Sequence, residues 1–197
     1  MKDIGTYEGI EGLERLSQEI NIILAHKKKA VIAIAGLPGS GKTVIVKKFV
    51  RLGFGNIGRK DILVIDDNII YSTRFWRLKW EKIKIDKKSS GSLLDSTGAK
   101  VIFFANWIPS RFLASADLYV ILQLSENERL KRLKYRERKA PEKFHIQKNK
   151  DLIPMEEPFE CPKVMTLVNH SGGLYRWYFL WLIRRTISRR QGTQNQL

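Results

Sequence analysis

The chain has 197 residues, a length typical of one domain, and its 43% hydrophobic and 28% charged residues indicate a globular protein. A single cysteine, Cys161, excludes a disulfide framework and a cysteine-based zinc cluster. It also favours a reducing compartment, and with no N-terminal apolar segment typical of export we expect a cytoplasmic location. The formal net charge of +16 predicts an anionic partner, either a nucleotide, a nucleic acid or an acidic membrane surface.

Apolar residues at steps of three and four over residues 8–27 predict an amphipathic helix. A continuous apolar run follows at residues 30–35 and is typical of a strand that is buried on both faces. Similar runs recur along the chain at residues 62–66, 101–105, 118–122 and 164–168. Because helical patterns or long connections separate them, we expect an α/β fold of five parallel strands with helices on both faces, as one domain over residues 1–197.

A glycine-rich loop after the first predicted strand matches the pattern G-x-x-x-x-G-K-[ST]. Its residues are Gly36, Leu37, Pro38, Gly39, Ser40, Gly41, Lys42 and Thr43. Glycines let backbone N–H groups approach phosphate oxygens, and a helix predicted from Thr43 to about residue 52 directs its N-terminus at the same anion. We expect Lys42 to reach the β- and γ-phosphates and the Thr43 hydroxyl to hold Mg²⁺. The loop therefore predicts a site for ATP and Mg²⁺.

Two carboxylates, Asp66 and Asp67, end the second predicted strand, at the edge where open α/β sheets bind ligands. A carboxylate there can accept the proton of an attacking hydroxyl, or hold Mg²⁺, for which we predict Asp66 beside Thr43. Successive side chains on a strand point to opposite faces, so one of the pair is expected to face the phosphates, and the pattern does not say which. The alternative is that the pair only caps the next helix or ends the strand.

Residues 72–100 are polar, basic and weakly patterned, which predicts an insertion over the top of the sheet that binds the acceptor. Within it, Trp76 and Trp80 lie four residues apart among arginines and lysines. On a shared helix face they would suit stacking on a base or a sugar. Alternatively, the tryptophans close the core beneath the insertion.

Residues 125–139 predict a lid helix, which Ser125 and Glu128 begin as a capping box. Arg129, Arg132 and Arg136 recur at steps of three and four and therefore share one helix face. Guanidinium groups on such a face can bind a transferring phosphate bidentately and neutralise its charge. A solvated basic face is the alternative.

The last predicted helix, residues 174–190, is aromatic and apolar nearly all round and is followed by arginines. Its apolar stretch is too short to cross a bilayer. We expect it either to pack as the last buried helix or to contact a partner or the inner membrane surface peripherally.

The segments VIAIAGLPGSGKT and ADLYVILQLSENERLKRLKYRERK resemble the P-loop kinase superfamily, in particular uridine kinase and phosphoribulokinase relatives. The loop followed by a strand ending in two aspartates is equally similar to polynucleotide-kinase-like proteins. This resemblance, over about residues 30–139, implies the strand order 2-3-1-4-5, a nucleotide cradle at residues 36–43, a base at Asp66 or Asp67, and lid arginines at Arg129, Arg132 and Arg136. The chain departs from the group after the third strand, where the sequence FFANW replaces a common acidic residue, and over residues 71–100.

Together these features predict a kinase that transfers the γ-phosphate of ATP to a hydroxyl of a small metabolite of the nucleoside or sugar class. One alternative is a polynucleotide 5′-hydroxyl kinase, which would use the basic charge of the chain. Another is a nucleotide-binding regulatory or membrane-associated P-loop NTPase without phosphotransfer.

Overall fold

The computed structural model describes residues 1–74, 77–151 and 159–169. Within these residues the chain forms eight strands and five α-helices. The strands are β1 (Lys2–Glu8), β2 (Ala30–Ala35), β3 (Ile62–Asp66), β4 (Ile69–Arg74), β5 (Arg77–Lys82), β6 (Val101–Ala105), β7 (Leu118–Leu124) and β8 (Lys163–Asn169). The helices are α1 (Gly9–His26), α2 (Lys42–Leu52), α3 (Lys87–Ser96), α4 (Glu126–Arg136) and α5 (Pro141–Lys148).

All eight strands join one sheet in the order β1-β8-β7-β2-β6-β3-β4-β5. The pairs from β1 to β3 are parallel, whereas β4 runs antiparallel to both β3 and β5. The α/β class is therefore confirmed. The expectation of five strands in a wholly parallel sheet is wrong, because the sheet is larger and mixed.

The three additional strands lie at the two edges of the sheet. Among the described residues β1 pairs only with β8, and all seven of its residues are exposed or partly exposed. β4 and β5 form a hairpin beyond β3, and five of the six residues of β5 are exposed. Residues 72–100 thus extend the sheet sideways and add α3, rather than lying over the top of the sheet as predicted. Phe75 and Trp76 lie outside the described residues.

Each face of the sheet has its own hydrophobic core, and helices cover both faces as predicted. On one face α1 and α2 pack against alternate strand residues, and Phe49 of α2 lies 4.8 Å from Phe103 of β6, centroid to centroid. On the other face Leu94 of α3, Leu113 and Phe159 pack against the strand residues that point to that side, such as Phe104 of β6. The central strands are therefore buried on both sides, which explains their unbroken apolar sequences.

Helix α4 begins where the sequence predicts, with Ser125 as its N-cap, but no side-chain capping hydrogen bond forms there. The predicted capping box of Ser125 and Glu128 is therefore wrong. The predicted helix over residues 174–190 lies outside the described residues. Among the helices of the described ranges, none combines the length and apolar character needed to cross a membrane.

Candidate functional site

A cavity of about 790 Å³ opens at the carboxyl ends of the central strands. β6 and β3 lie on one side of β2, and β7 and β8 lie on the other, so the end of β2 is a topological switch point. Ligands of open α/β sheets bind at such points. The walls of the cavity come from the loop after β2, the residues that end or follow β3, β6 and β8, helix α4 and the end of α5.

The glycine-rich loop is packed tightly against the ends of two neighbouring strands. Gly36 has a φ of +150°, and a Cβ there would lie 2.6 Å from the carbonyl oxygen of Leu122 in β7. Gly41 has a φ of +101°, and a Cβ there would lie 2.9 Å from Nδ2 of Asn169 at the end of β8. Both positions therefore require glycine for space as well as for conformation. Asn169 is buried and donates from Nδ2 to the carbonyl oxygen of Ser40 at 2.7 Å, so β8 supports the loop directly.

Lys42 and Thr43 form the first turn of α2 and line the cavity. The Lys42 ammonium donates to the carbonyl oxygen of Gly36 and, at 3.3 Å, to that of Leu37. Removal from water lowers the pKa of Lys42 to about 8, although the negative charges of Asp67 and Asp66 oppose this shift. The cation therefore lies at the N-terminus of a helix, where the backbone already favours an anion.

The two aspartates have different surroundings. Asp66 ends β3 and accepts a hydrogen bond from the Thr43 hydroxyl at 3.2 Å. Burial raises the pKa of Asp66, although the hydrogen bond from Thr43 opposes the shift. Asp67 is a non-glycine residue with a φ of +53°, a conformation that is uncommon and often found at functional sites. Its Oδ1 accepts from Nδ2 of Asn106 at 2.8 Å, and both aspartates line the cavity.

The predicted arginines divide into two groups. Arg132 and Arg136 line the cavity. Nη1 of Arg132 lies 3.6 Å from the position that a Cβ on Gly41 would occupy. Arg129 is only 3% exposed and is not among the residues that line the cavity. It pairs with Glu126 and donates to the carbonyl oxygens of Pro38, Gln147 and Lys148. The Arg129 guanidinium is thus buried between the glycine-rich loop and α5, outside the cavity. The sequence predicted instead that all three arginines share one face.

Sequence reasoning missed several residues that line the cavity. Asn106, which follows β6, was noted only because it stands where an acidic residue is common, and it holds Asp67. Its position as a polar residue at the carboxyl end of a buried strand was a usable signal, and the same holds for Asn169. The remaining residues come from α2 (Val44 and Ile45), the turn at 107–112, Gln147 and Lys150, and no motif marks them as lining residues. No described residue of the predicted acceptor insertion, 72–100, lines this cavity.

No model of a known protein family matches the chain, and no curated protein matches it either. The chemistry of the site is therefore inferred from its geometry. The cavity combines a cationic helix N-terminus, a hydroxyl beside a carboxylate, a second carboxylate and three arginines. Such a set can bind a polyphosphate, hold a hard metal ion through oxygen ligands, and accept a proton.

Proposed function

We propose that the protein is an ATP-dependent phosphotransferase of the P-loop class that phosphorylates a hydroxyl group. The observation that carries this proposal is the meeting of the complete loop, residues 36–43, with Asp66 and Asp67 in one cavity. The volume of about 790 Å³ lies within the range of about 300–1,000 Å³ that is typical of small-molecule sites. The strand order supports the same class. The five strands predicted from sequence are β2, β3, β6, β7 and β8, and they lie across the sheet in the order β3-β6-β2-β7-β8. Numbered along the chain among themselves, this order is 2-3-1-4-5.

In this proposal the triphosphate of ATP lies on the loop and the N-terminus of α2. Backbone N–H groups of the loop donate to the phosphate oxygens, and the Lys42 ammonium turns from the loop carbonyls to the β- and γ-phosphates. Arg132 and Arg136 reach the same anion from α4 and neutralise charge that develops during transfer. Water is kept out by α4 and α5, which limits hydrolysis of ATP without transfer.

Thr43 and Asp66 are the residues that fit Mg²⁺. Their oxygens lie within hydrogen-bond distance of each other, at 3.2 Å, and a hydroxyl with a carboxylate is the ligand type that Mg²⁺ prefers. Among the described residues there is no group of three or more His, Cys, Asp or Glu that could hold a metal ion. A magnesium site that shares its ligands with substrate phosphates does not need one. Thr43 and Asp66 would hold Mg²⁺, which when bound would withdraw negative charge from the phosphate oxygens.

We assign the base to Asp67. Asp66 accepts a hydrogen bond from Thr43, which fits a metal ligand, whereas Asp67 accepts one from Asn106 on the other wall of the cavity. The acceptor oxygen forms a bond to the γ-phosphorus, and the bond from that phosphorus to the β,γ-bridging oxygen breaks. ADP leaves with the electron pair, and the hydroxyl proton passes to the Asp67 carboxylate. The left-handed backbone at Asp67 turns its carboxylate away from the strand and into the cavity.

The test measures ADP release from Mg·ATP with nucleosides, sugars and 5′-hydroxyl oligonucleotides as acceptors. We expect release that depends on an acceptor, a fall in kcat of about 100-fold in Asp67→Asn, and an ATP KM within about threefold of the parent. Asp61→Asn is the matched control, because Asp61 is a carboxylate outside the cavity. Release that no acceptor changes would instead favour a nucleotide-binding NTPase. An unaltered kcat in Asp67→Asn would remove the general-base assignment.

A further inference from the structure

The hairpin of β4 and β5 carries an exposed tryptophan that the proposed function does not use. Trp80 lies in β5 rather than on a helix, and its side chain is 64% exposed. Among the described residues β5 pairs only with β4, so it forms an edge of the sheet. Although the structure describes all of β5, none of its residues lines the cavity at the end of β2. The hairpin therefore offers a surface separate from the proposed phosphotransfer site.

The register of the hairpin determines what surrounds Trp80. Trp80 pairs with Tyr71 of β4, so both rings lie on the face of the sheet that α2 covers. The Lys47 ammonium of α2 lies 4.5 Å from the centre of the Tyr71 ring. Arg51 follows one turn later on α2 and is exposed. Lys82 lies two residues beyond Trp80, on the same face of β5. Trp80 is therefore next to cations of α2 and of its own strand.

The strand itself is strongly basic. β5 contains three exposed cations, Arg77, Lys79 and Lys82, against one exposed carboxylate, Glu81. Lysines on an edge strand discourage pairing with the sheet of another molecule. That role accounts for the charges but not for a tryptophan that is left in water, because an aromatic ring of this size gains free energy when it is covered. The combination points to a ligand that is both anionic and able to stack.

We propose that this surface binds single-stranded nucleic acid, as a second activity separate from phosphotransfer. The hairpin surface consists of Lys47, Arg51, Arg77, Lys79, Trp80 and Lys82. An unpaired base stacks on the exposed indole, and the cations bind the phosphates on either side of it. The bases of a duplex are already stacked on one another, so the surface favours single strands. The formal net charge of +16 favours the same partner.

The experiment measures the fluorescence anisotropy of a 3′-labelled oligothymidylate of about 12 nucleotides that carries a 5′-phosphate. The 5′-phosphate removes the hydroxyl that a 5′-end kinase would use, and saturating Mg·β,γ-imido-ATP occupies the cavity. Oligouridylate and a duplex of the same length are measured beside it. We expect both single strands to bind more tightly than the duplex, and the tryptophan fluorescence of the protein to fall as Trp80 stacks.

Substitution of the tryptophan tests the stacking contact. Trp80→Leu should lower the affinity for both single strands about tenfold and remove most of the fall in fluorescence. Trp80→Phe should keep most of the affinity, because a phenyl ring also stacks on a base. Tyr135→Leu is the matched control, because Tyr135 is an exposed aromatic residue of α4 outside the hairpin surface. A thermal melt of each variant checks that the fold is retained.

Substitution of a cation tests the phosphate contacts. Affinity should fall as salt is added, and Lys82→Gln should reduce the slope of the logarithm of the binding constant against that of the salt concentration by about 0.7. This is the value for one phosphate contact of a single strand. Lys28→Gln, which removes an exposed cation outside the hairpin surface, should leave the slope as in the parent.

A Trp80→Leu variant that binds both single strands like the parent would overturn this inference, as would a duplex that binds as tightly as either strand. Vesicles of phosphatidylcholine and phosphatidylserine are the remaining arm. If they bind the parent but not Trp80→Leu, and no oligonucleotide binds, the surface contacts an acidic membrane and the inference is wrong. The anisotropy is also measured without the ATP analogue, so a failure to bind nucleotide contradicts the phosphotransferase proposal and leaves this test intact.

Discussion

The pKa of Lys42 lies near neutrality, so the charge of this residue of the site depends on pH. Its removal from water outweighs the attraction of Asp67 and Asp66, so its pKa is lowered to about 8. In the proposed function the protonated form is the one that binds phosphate. The charge is therefore present at lower pH and is lost as the pH rises through about 8.

This shift predicts the basic limb of the pH profile of kcat/KM for ATP, which reports groups of the free enzyme. We expect kcat/KM to fall above a pH of about 8. In Lys42→Arg the remaining activity should lose this limb, because a guanidinium keeps its charge throughout the range. Lys28→Arg, at an exposed position outside the cavity, should retain the parental profile. If the limb persists unchanged in Lys42→Arg, it belongs to another group.

The sequence predicted the contiguous part of the site better than its long-range part. Residues 36–43 and the two aspartates each lie within a short segment, so spacing alone places them together. The support that Asn169 gives to Ser40 crosses 129 positions and becomes visible only in the folded chain. Arg129 illustrates the opposite case, since helical spacing correctly related it to Arg132 but could not show that its guanidinium turns inward.

At the scale of elements, Arg129 connects three segments next to the cavity: the glycine-rich loop, α4 and α5. Its guanidinium lies between Pro38 of the glycine-rich loop and the last residues of α5, where the carbonyl oxygen of Lys148 accepts at 3.0 Å. Glu126 in the first turn of α4 provides the opposite charge. Because α5 leads directly to Lys150, this contact also positions the part of the cavity wall that Lys150 forms. Arg129 therefore holds these elements together, and in the proposed function it is a positioning residue rather than a group that contacts the triphosphate.

Arg129→Gln should lower the free energy of unfolding by about 1–3 kcal/mol, because it removes a buried guanidinium that donates to the carbonyl oxygens of Pro38 and Lys148. Arg132→Gln, which alters a half-buried residue of the cavity wall, should lower kcat and destabilise the fold less than Arg129→Gln does. Urea unfolding and steady-state kinetics measure the two effects. Arg138→Gln, an exposed change just beyond α4, should stay within about 0.5 kcal/mol of the parent. An Arg129→Gln variant with the parental urea midpoint would show that the arginine does not hold the glycine-rich loop, α4 and α5 together.

Elements were predictable from sequence in proportion to their burial. β2, β3 and β6 begin and end where their apolar runs do, because a strand covered on both faces needs no polar residues. β1 and β5 lie at edges and pair on one side, so their sequences alternate weakly and carry many charges. Such strands resemble polar connections in a sequence, which explains why the sequence of residues 72–100 predicts an insertion above the sheet.

At the scale of the whole molecule, the cavity lies where several elements of the fold meet. The loop, α4, the end of α5 and the turn after β6 all contribute to its walls. The sheet beneath has a separate hydrophobic core on each face. A ligand in the cavity therefore contacts segments that come from both sides of β2, and unfolding the sheet would release all of them together.

This arrangement predicts that Mg·β,γ-imido-ATP stabilises the entire domain and not only the loop. A ligand present at about 100 times its Kd adds about 2.7 kcal/mol to the free energy of unfolding. For a chain of this size each kcal/mol raises Tm by about 2–4 °C, so we expect a rise of about 5–10 °C in a thermal melt. Lys42→Ala should abolish most of the rise, whereas Lys28→Ala should retain it. A melt that separates into two transitions on addition of the nucleotide, or an equal rise in Lys42→Ala, would show that the ligand stabilises something other than the site at the end of β2.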